Sequence, residues 1–399
     1  MRPLPEVIEN SLQKQPELVL EYVDPLEGFR GWLAIDCLAH RLCAGGLRVQ
    51  KGLTRECVMQ LARNMTLKMR IAGIRADGAK SGIDYDPCAP GRQEALYRFF
   101  RAMEPFLRQR YSMGPDLNTT MQELDAVAAR LGIPSIKIAI AHAQGLDQEQ
   151  FEQRIRILQQ PAGFATLGRM RAGSGLAAAC LGALEFLGIP AHRATVAIQG
   201  FGGLGAAAAY FLNRSGARIV AIADCEKSLC AEDGGSLDID GLLAEGDHGL
   251  LPHNASCGRY GPSARIYDIP CDVFVPAAVE QSVTVPEAGS LPTRALVCGA
   301  NLAVTPEAEM VLHDRGIILV PDMVAGCGGS LSMDGLFGPR QQPDVDQVLE
   351  SVARKMRAIV TRVLERSRQD NILPRAAALA LCRETPIHPD ARPYGALDD

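Results

Sequence analysis

The segment Thr195-Val196-Ala197-Ile198-Gln199-Gly200-Phe201-Gly202-Gly203-Leu204-Gly205 decides the fold of this chain. An apolar run typical of a buried strand leads directly into glycines spaced as G-x-G-x-x-G, and a helical pattern follows them. In such a turn the first glycine permits a tight bend, the second lets a pyrophosphate approach the backbone, and the third allows close packing of the helix on the strand. The predicted nucleotide contacts are Gly200, Phe201, Gly202, Gly203, Leu204 and Gly205.

Asp224 ends the next strand-like run, 24 residues after Gly200. A carboxylate at that place accepts hydrogen bonds from the adenosine ribose hydroxyls and repels a 2′-phosphate, so the pattern favours NAD over NADP. The alternative is an ordinary glycine-rich turn beside a surface aspartate. The strand before the glycines and the helix after them favour the dinucleotide site.

Strand-like runs alternate with helical segments from about residue 170 onward, which predicts βαβ units and a parallel sheet buried on both faces. The runs are 195–198, 219–223, 272–275, 295–297 and 317–320. We therefore predict an α/β protein of two domains, in which residues 166–342 form a doubly wound, Rossmann-type, NAD-binding domain.

The first 165 residues mix short strands with amphipathic helices and form the other predicted domain. Its predicted elements are strands over 31–36 and 45–49, a helix opened by Thr54, a helix over 92–109 and a helix capped by Thr120. A long amphipathic helix after Pro343 is predicted to pack back on this domain, so that residues 343–399 complete it.

The composition of the 399 residues is that of an ordinary globular protein, with 47% apolar and 22% charged residues. The net charge of −5 argues against a surface for nucleic acid or anionic membranes. The 12 cysteines are scattered without metal-type spacing, so we predict reduced thiols in a cytoplasmic protein and no bound metal. No apolar run approaches the roughly 20 residues of a membrane span.

Two lysines and an aspartate carry the predicted chemistry, and they end the segments Met65-Thr66-Leu67-Lys68, Asp77-Gly78-Ala79-Lys80 and Gly114-Pro115-Asp116. Binding and oxidising an α-amino acid needs a cation for the carboxylate and a base near the amine. Burial beside another cation lowers the pKa of a lysine enough for the second role. Lys68 and Lys80 suit these roles, and Asp116 is the candidate carboxylate. The alternatives are two surface lysines and, for Asp116, an Asx turn or a helix N-cap ahead of Thr119.

The chain resembles the glutamate/leucine/phenylalanine/valine dehydrogenase family from about Val19 to the C-terminal helices. The ordered motifs that carry the resemblance are Gly45-Gly46-Leu47-Arg48, Met65-Thr66-Leu67-Lys68, Gly78-Ala79-Lys80, Asp86-Pro87, Gly114-Pro115-Asp116, Ala197-Ile198-Gln199-Gly200-Phe201-Gly202, Val275-Pro276-Ala277-Ala278, Gly299-Ala300-Asn301 and Gly328-Gly329. The spacing from Lys68 to Lys80 to Asp116 resembles leucine dehydrogenases most closely.

The resemblance implies a reversible, NAD-dependent oxidative deamination of an amino acid to its 2-oxo acid, in a cleft between the two domains. Lys68 would hold the α-carboxylate, Lys80 would activate the attacking water, and Asp116 would shuttle protons. The resemblance also implies a homo-oligomer, with residues 1–165 forming the domain that binds the substrate and mediates oligomerisation. The other residues that it implies are Met65, Ala44, Gly45, Gly114, Ser330 and Met333 for the substrate, and Ala277 and Asn301 for the cofactor.

The residues expected beside the substrate side chain depart from the pattern of members specific for glutamate. Those members have a K-GG motif and a serine after the later glycine pair, whereas this chain has Ala44 and Met333 at these places. With no cation left for a side-chain carboxylate, we expect a non-acidic substrate and poor activity on glutamate. Ala44, Gly114 and Ser330 leave a roomy, partly polar pocket, which favours an apolar or aromatic side chain.

Four further departures affect the expected chemistry. Asp77, at the place of a usual glycine, could pair with Lys80 and raise its pKa, bind an extra amine of the substrate, or face solvent. Ala172, Leu302 and Gly326 replace polar residues around the nicotinamide. These losses leave two alternatives open: an oxidoreductase acting on a non-standard biosynthetic amine or imine, and a catalytically silent nucleotide-binding protein.

Overall fold

The computed structural model describes residues 15–232, 234–245 and 249–396. These residues divide into two units. The lysine unit, named after Lys68 and Lys80, contains residues 15–155, 337–341 and 382–396, and the glycine-loop unit contains residues 156–336, with the gaps given above, and 342–381. In the described ranges, no helix is both long and apolar enough to cross a membrane.

The lysine unit is built on a five-stranded sheet. Its strands are Leu18–Val23 (β1), Arg30–Ile35 (β2), Cys43–Val49 (β3), Asp77–Ile83 (β4) and Tyr111–Pro115 (β5), and its helices are Arg55–Ile71 (α1), Arg92–Gln109 (α2), Met121–Ala129 (α3), Ala139–Gln144 (α4) and Gln148–Arg156 (α5). The strand order is β1-β2-β4-β3-β5, with β3 parallel to both of its neighbours. The strands and helices predicted for this segment are confirmed.

The two faces of this sheet are buried by different helices, because successive side chains of a strand point to opposite sides. Trp32 and Ala34 of β2 belong to a small core under α1, whereas Leu33 between them belongs to the larger core on the side of α2 and α3. Lys80 of β4 is in register with Ala34. Its side chain therefore lies on the face covered by α1, the helix that carries Lys68.

The glycine-loop unit contains a two-stranded ribbon and, within the described residues, a seven-stranded sheet. The ribbon is Pro161–Ala162 (β6) with Ala165–Thr166 (β7), and the sheet contains Thr195–Gln199 (β8), Arg218–Ala223 (β9), Lys227–Cys230 (β10), Arg259–Pro262 (β11), Cys271–Pro276 (β12), Thr293–Val297 (β13) and Ile318–Val320 (β14). The helices are Leu167–Phe186 (α6), Gly203–Arg214 (α7), Ile239–Glu245 (α8), Val285–Ser290 (α9), Pro306–Asp314 (α10), Asp322–Ala325 (α11), Gly328–Phe337 (α12), Val345–Asp370 (α13) and Pro374–Glu384 (α14).

The sheet order is β11-β10-β9-β8-β12-β13-β14, and the five strands predicted from the sequence pair in parallel. The antiparallel hairpin of β10 and β11 at one edge is not predicted by the sequence patterns. Each of these two strands has only four residues, which is too short for a periodic pattern to stand out.

The long helix α13 packs within the glycine-loop unit, contrary to the sequence prediction. It lies along α6, where Arg357 pairs with Glu185 at 3.0 Å and a Cβ on Gly182 would lie 3.2 Å from Val360. An amphipathic stripe predicts burial but does not specify the partner, which explains the error. Residues 343–399 were predicted to complete the first domain. Of those that the structure describes, only residues 382–396, which include the end of α14, belong to the lysine unit. Substrate binding and oligomerisation by the first domain, and NAD binding by the second, stay predictions.

Candidate active site and nucleotide loop

Lys80 and Asp116 are in direct contact in the lysine unit. Lys80 Nζ lies 2.9 Å from Asp116 Oδ1, and Arg48 Nε donates a hydrogen bond to Asp116 Oδ2 at 2.7 Å. The parallel pairing of β3 with β4 and β5 brings the ends of these strands to one edge, so residues far apart in sequence meet there. The side chain of Lys80 is 3% exposed and that of Asp116 is 17% exposed. The two predicted catalytic residues therefore belong to one buried ion-pair network.

Asp116 also forms a turn with Thr119, but through its backbone rather than through the carboxylate that an Asx turn would use. Its N–H donates to Thr119 Oγ1 at 2.9 Å, and its carbonyl accepts from the Thr119 N–H at 3.1 Å. Both carboxylate oxygens remain directed to Lys80 and Arg48. The turn and the ion pair thus use different atoms of the same residue.

The surroundings of Lys80 lower the pKa of its ammonium group. Burial has the largest effect, the Asp116 carboxylate opposes it, and the positive charges of Arg48 and Lys68 lower the pKa further. For Asp116, burial raises the pKa, but the charges and hydrogen bonds of Lys80 and Arg48 outweigh burial and hold it well below its usual range. A lysine that loses its proton readily next to an ionised carboxylate is suited to proton transfer.

Arg48 is a site residue whose role the sequence analysis missed. It is 4% exposed, and its guanidinium compensates the Asp116 carboxylate while lowering the pKa of Lys80. Arg48 was visible in the G-G-x-R motif. The signal for its role is the alternation along β3, since Ala44, Gly46 and Arg48 lie on the same face of a strand.

Asp77 does not contact Lys80. Its carboxylate accepts a hydrogen bond from the His40 N–H at 2.6 Å and lies 2.9 Å from His40 Nδ1. Asp77 is 1% exposed, and it points to the opposite face of β4 because it is three residues from Lys80. Pairing with Lys80 and exposure to solvent are therefore both wrong, and the opposite orientation gives no support to a contact with a substrate amine.

A strip of sheet without side chains lies next to Lys80. Gly46 of β3 is in register with Gly114 of β5, and a Cβ on Gly46 would lie 3.4 Å from Lys80 Nζ. The Asp116 side chain covers Gly46, because its Cβ would be 2.8 Å from a Cβ there, whereas a Cβ on Gly114 would have no neighbour closer than 3.7 Å. A substrate can therefore approach the backbone at Gly114. Gly45 was predicted to contact the substrate, but it faces the side of the sheet opposite to Lys80. A Cβ on Gly45 would lie 1.7 Å from Ala79 O. Gly45 thus permits close strand packing.

The remaining predicted substrate residues are divided between the two units. Lys68 and Ala44 are buried in the lysine unit, where Met65 is half-buried on α1. Ser330 and Met333 are buried on α12 in the glycine-loop unit. The contacts of these five residues with a substrate stay predictions.

The glycine loop follows β8, the strand at which the order of the sheet reverses between β9 and β12. Nucleotides bind at such switch points in doubly wound folds. Gly200 has φ +104°, and a Cβ on Gly205 would lie 1.9 Å from Gly200 O, whereas Gly202 and Gly203 face open space. The loop therefore has the tight turn, the open approach and the close helix packing that the motif requires.

A cavity of about 530 Å³ lies beside this loop. Its lining includes Arg169, Phe201, Gly202 and Gly203. The first turn of α7 begins at Gly203 and directs its N–H groups outward, a favourable environment for phosphate, and Arg169 adds a positive charge. These residues fit the diphosphate of a dinucleotide.

Asp224 holds the turn after β9 in addition to any role toward a nucleotide. Its Oδ1 accepts from the N–H groups of Glu226 and Lys227, each at 2.8 Å, and its Oδ2 accepts from the Leu251 N–H at 2.7 Å. These bonds use three of the roughly four acceptor positions of a carboxylate. The contact of Asp224 with ribose hydroxyls stays a prediction.

The other two predicted cofactor residues follow the neighbouring strands. Ala277 comes directly after β12, and its carbonyl oxygen would lie 2.7 Å from a Cβ on Gly200. Asn301 follows β13 and is partly exposed. Their cofactor contacts also stay predictions.

We expect Gly202→Ala to weaken binding of a nicotinamide dinucleotide by about tenfold or more while leaving the thermal stability of the protein unchanged. A Cβ at this position meets nothing within 4 Å and its φ of −66° suits alanine, but it would occupy the space of the diphosphate. Calorimetric titration with cofactor measures the effect. Gly289→Ala, also in open space, is the matched control. Unchanged affinity in Gly202→Ala would contradict the assignment of the loop.

Two family models match the chain over most of its length. Residues 166–384 match the model described as Glutamate/Leucine/Phenylalanine/Valine dehydrogenase. Residues 17–131 match the model described as Glu/Leu/Phe/Val dehydrogenase, dimerisation domain. The chain belongs to this family. The resemblance inferred from the ordered motifs is confirmed, as is the prediction of an NAD(P)-dependent amino acid dehydrogenase.

Curated relatives of this dehydrogenase include two enzymes of stated cofactor specificity. The NAD-specific glutamate dehydrogenase of Staphylococcus aureus is 29% identical over 84% of this chain and 79% of its own length. The NADP-specific glutamate dehydrogenase of Saccharolobus shibatae is 26% identical over 79% of this chain and 74% of its own length. A nicotinamide cofactor is therefore supported, whereas the apolar substrate expected from the sequence is not.

A solved structure confirms the predicted α/β fold of two domains. It is the hetero-hexameric glutamate dehydrogenase of Thermus thermophilus in a leucine-bound form. The TM-score is 0.73 at 24% identity, and the match covers 96% of each chain.

Proposed function

We propose that this chain catalyses the reversible, NAD(P)-dependent oxidative deamination of an L-amino acid to its 2-oxo acid and ammonia, with glutamate as the first candidate substrate. The observation that carries the proposal is the buried network of Lys80, Asp116 and Arg48 near Gly114, where no side chain covers the backbone closely. The relatives described as glutamate dehydrogenases support glutamate over the non-acidic side chain that Ala44 and Met333 favoured.

The residues of the network have separate tasks in the proposed reaction. Lys68 holds the α-carboxylate by its charge. Lys80, as the neutral amine, takes a proton from the water that attacks the substrate imine, and Asp116 carries protons to the departing amine. Arg48 keeps Asp116 ionised and favours the neutral form of Lys80. A bound nicotinamide cofactor supplies the acceptor for the hydride of the α-carbon.

The test is an assay of the purified protein with single L-amino acids at alkaline pH, followed by the absorbance of the reduced cofactor. The panel contains glutamate, aspartate, norvaline, leucine and phenylalanine. We expect turnover of at least one of them, with the highest kcat/KM for an acidic member. Absence of turnover with every amino acid and both cofactors would refute the proposed activity, and a preference for leucine or phenylalanine would refute the acidic substrate.

We further propose that NAD is preferred over NADP, because the Asp224 carboxylate closes the turn after β9 in the unit that carries the glycine loop. The negative charge of the Asp224 carboxylate would repel the 2′-phosphate of NADP and so weaken the binding of NADP relative to NAD. The ratio of kcat/KM for the two cofactors in the wild type measures this preference. A ratio near one would count against it.

We also propose that the protein forms a homo-oligomer, supported by the match of residues 17–131 to a dimerisation-domain model. Among the described residues, strand β1 lies at the edge of its sheet, and an edge strand can pair with a strand of another chain. Light scattering of the purified protein measures the mass. A monomer at micromolar concentration would exclude a stable oligomer.

A further inference from the structure

Lys137 is a buried cation that the sequence analysis did not consider. It is 4% exposed and lies between Ile136 and Ile138, an apolar context unusual for a surface lysine. Its Nζ donates a hydrogen bond to the Met113 carbonyl at 3.1 Å, and the Met113 N–H donates to the Ile136 carbonyl at 2.9 Å. The segment that carries Lys137 is therefore held along β5.

The ammonium group of Lys137 lies next to the glycine strip. Lys137 Nζ is 3.8 Å from the place of a Cβ on Gly114. Gly114 is in register with Gly46, where a Cβ would be 3.4 Å from Lys80 Nζ. Because neighbouring strands are about 4.8 Å apart, the two ammonium groups are at most about 12 Å apart. Gly114 and Gly46 lie between them, and the side chain of Asp116 covers Gly46.

We infer that Lys137 binds the side-chain carboxylate of a dicarboxylic amino acid whose α-carbon is held at Lys80. The inference rests on the proposed function and names its substrate class. In a five-carbon dicarboxylic amino acid, about 4 Å separates the α-carbon from the side-chain carboxylate carbon in the extended form. A hydrogen bond of about 3 Å from Lys137 to this carboxylate, and one of similar length from Lys80 to the group attached to the α-carbon, then fit within the upper limit of about 12 Å.

Gly114 explains why the substrate side chain has room beside Lys137. A side chain at position 114 would project toward the Lys137 ammonium group, whereas the space over Gly46 holds the side chain of Asp116. An apolar side chain lying on the same strip would place methyl groups against a buried ammonium, which disfavours binding because the charge loses polar surroundings. A carboxylate instead forms a charge-assisted hydrogen bond with it.

Lys137 removes the premise on which glutamate was considered a poor substrate. That expectation depended on Ala44 and Met333 leaving no cation for a side-chain carboxylate. The cation comes from a segment that follows α3, 93 residues after Ala44. Its place in the sequence therefore gave no indication that it lies near the site.

The kinetic test compares glutamate with norvaline, which has the same five-carbon chain without the second carboxylate. In Lys137→Met we expect kcat/KM for glutamate to fall about 10- to 100-fold, mainly through KM, while norvaline is unaffected or improved. Lys137→Gln keeps a donor for the Met113 carbonyl but removes the charge, so it should behave like Lys137→Met. Lys51→Met, at an exposed lysine of the same unit, is the control.

A structural role for Lys137 predicts a different result. Both substrates would then lose kcat/KM together, and Lys137→Gln would restore the activity that Lys137→Met loses. Either result overturns the inference.

A binding experiment tests Lys137 independently of turnover. Glutarate and pentanoate share a carbon chain, but only glutarate has a carboxylate at each end. Calorimetry of the cofactor-loaded wild type should show at least about tenfold tighter binding of glutarate, and Lys137→Met should abolish that preference. A wild type without the preference, or a variant that keeps it, overturns the inference even if the dehydrogenase activity is demonstrated. If the preference is found but no amino acid is turned over, the proposed reaction fails and the carboxylate site stands.

Discussion

Replacing Lys80 with methionine will reduce the turnover number for amino acid deamination by about 10²- to 10⁴-fold, the usual contribution of a positioned base. Methionine has a similar length and no ionisable group, and the site is 3% exposed, so water cannot easily replace the lost amine. Asp116 keeps its hydrogen bond with Arg48, so no buried carboxylate is left unpaired. Steady-state kinetics at saturating substrate and cofactor measure the effect.

The Lys80→Met experiment needs evidence that the fold and the cofactor site survive. We expect an unchanged affinity for the reduced cofactor, because the glycine loop belongs to the other unit. Lys51→Met, at an exposed lysine, should retain the wild-type turnover number. A Lys80→Met enzyme within about threefold of the wild type would require another base.

Replacing Asp116 with asparagine will lower turnover by about 10²-fold or more and move the rise of activity with pH to lower pH. The sign follows from the charges around Lys80. The Asp116 carboxylate raises the pKa of the Lys80 ammonium against the effect of burial, so its removal lowers that pKa and the neutral base appears at lower pH. The pH dependence of kcat/KM measures the shift. A rise at unchanged or higher pH would contradict the coupling of Asp116 and Lys80.

The same substitution will destabilise the protein by about 3–5 kcal/mol at neutral pH, because it leaves Lys80 and Arg48 buried without the carboxylate they share. The pKa of Asp116 is lower in the folded protein than the value of about 3.9 expected when unfolded. Its stabilising contribution is therefore complete above that pH and is lost as the pH falls. Urea denaturation at neutral and acidic pH measures the free energy of unfolding of both proteins. The difference in this free energy between wild type and Asp116→Asn should become smaller as the pH falls.

Local patterns were sufficient to predict the elements that carry the site. The apolar repeat over 92–109 predicted α2 at its observed bounds, and the strand before Gly200 and helix after Gly205 predicted β8 and α7. These predictions succeeded because side-chain periodicity and glycine conformation act within a few residues. The roles of Lys80 and Asp116 came from their motifs, whose order identifies the family.

The contacts that distinguish this protein from the expected pattern were decided by the tertiary structure. Asp77 pairs with His40, and α13 packs on α6, although charge and amphipathicity alone allowed other partners. Each of these two contacts depends on which face of a strand or helix packs against which neighbouring element. A single sequence does not specify that pairing.

The sequence by itself determined the dinucleotide loop, the family and the residues that can act as acid, base and cation. Only the tertiary structure placed Lys137 beside Gly114 and joined Arg48 to Asp116. The position of Lys137 is the basis on which we propose an acidic substrate. The physical reason is strand register. Side chains from β3, β4 and β5 and from the segment after α3 share one face only when the parallel strands align, and that alignment depends on contacts between residues far apart in the chain.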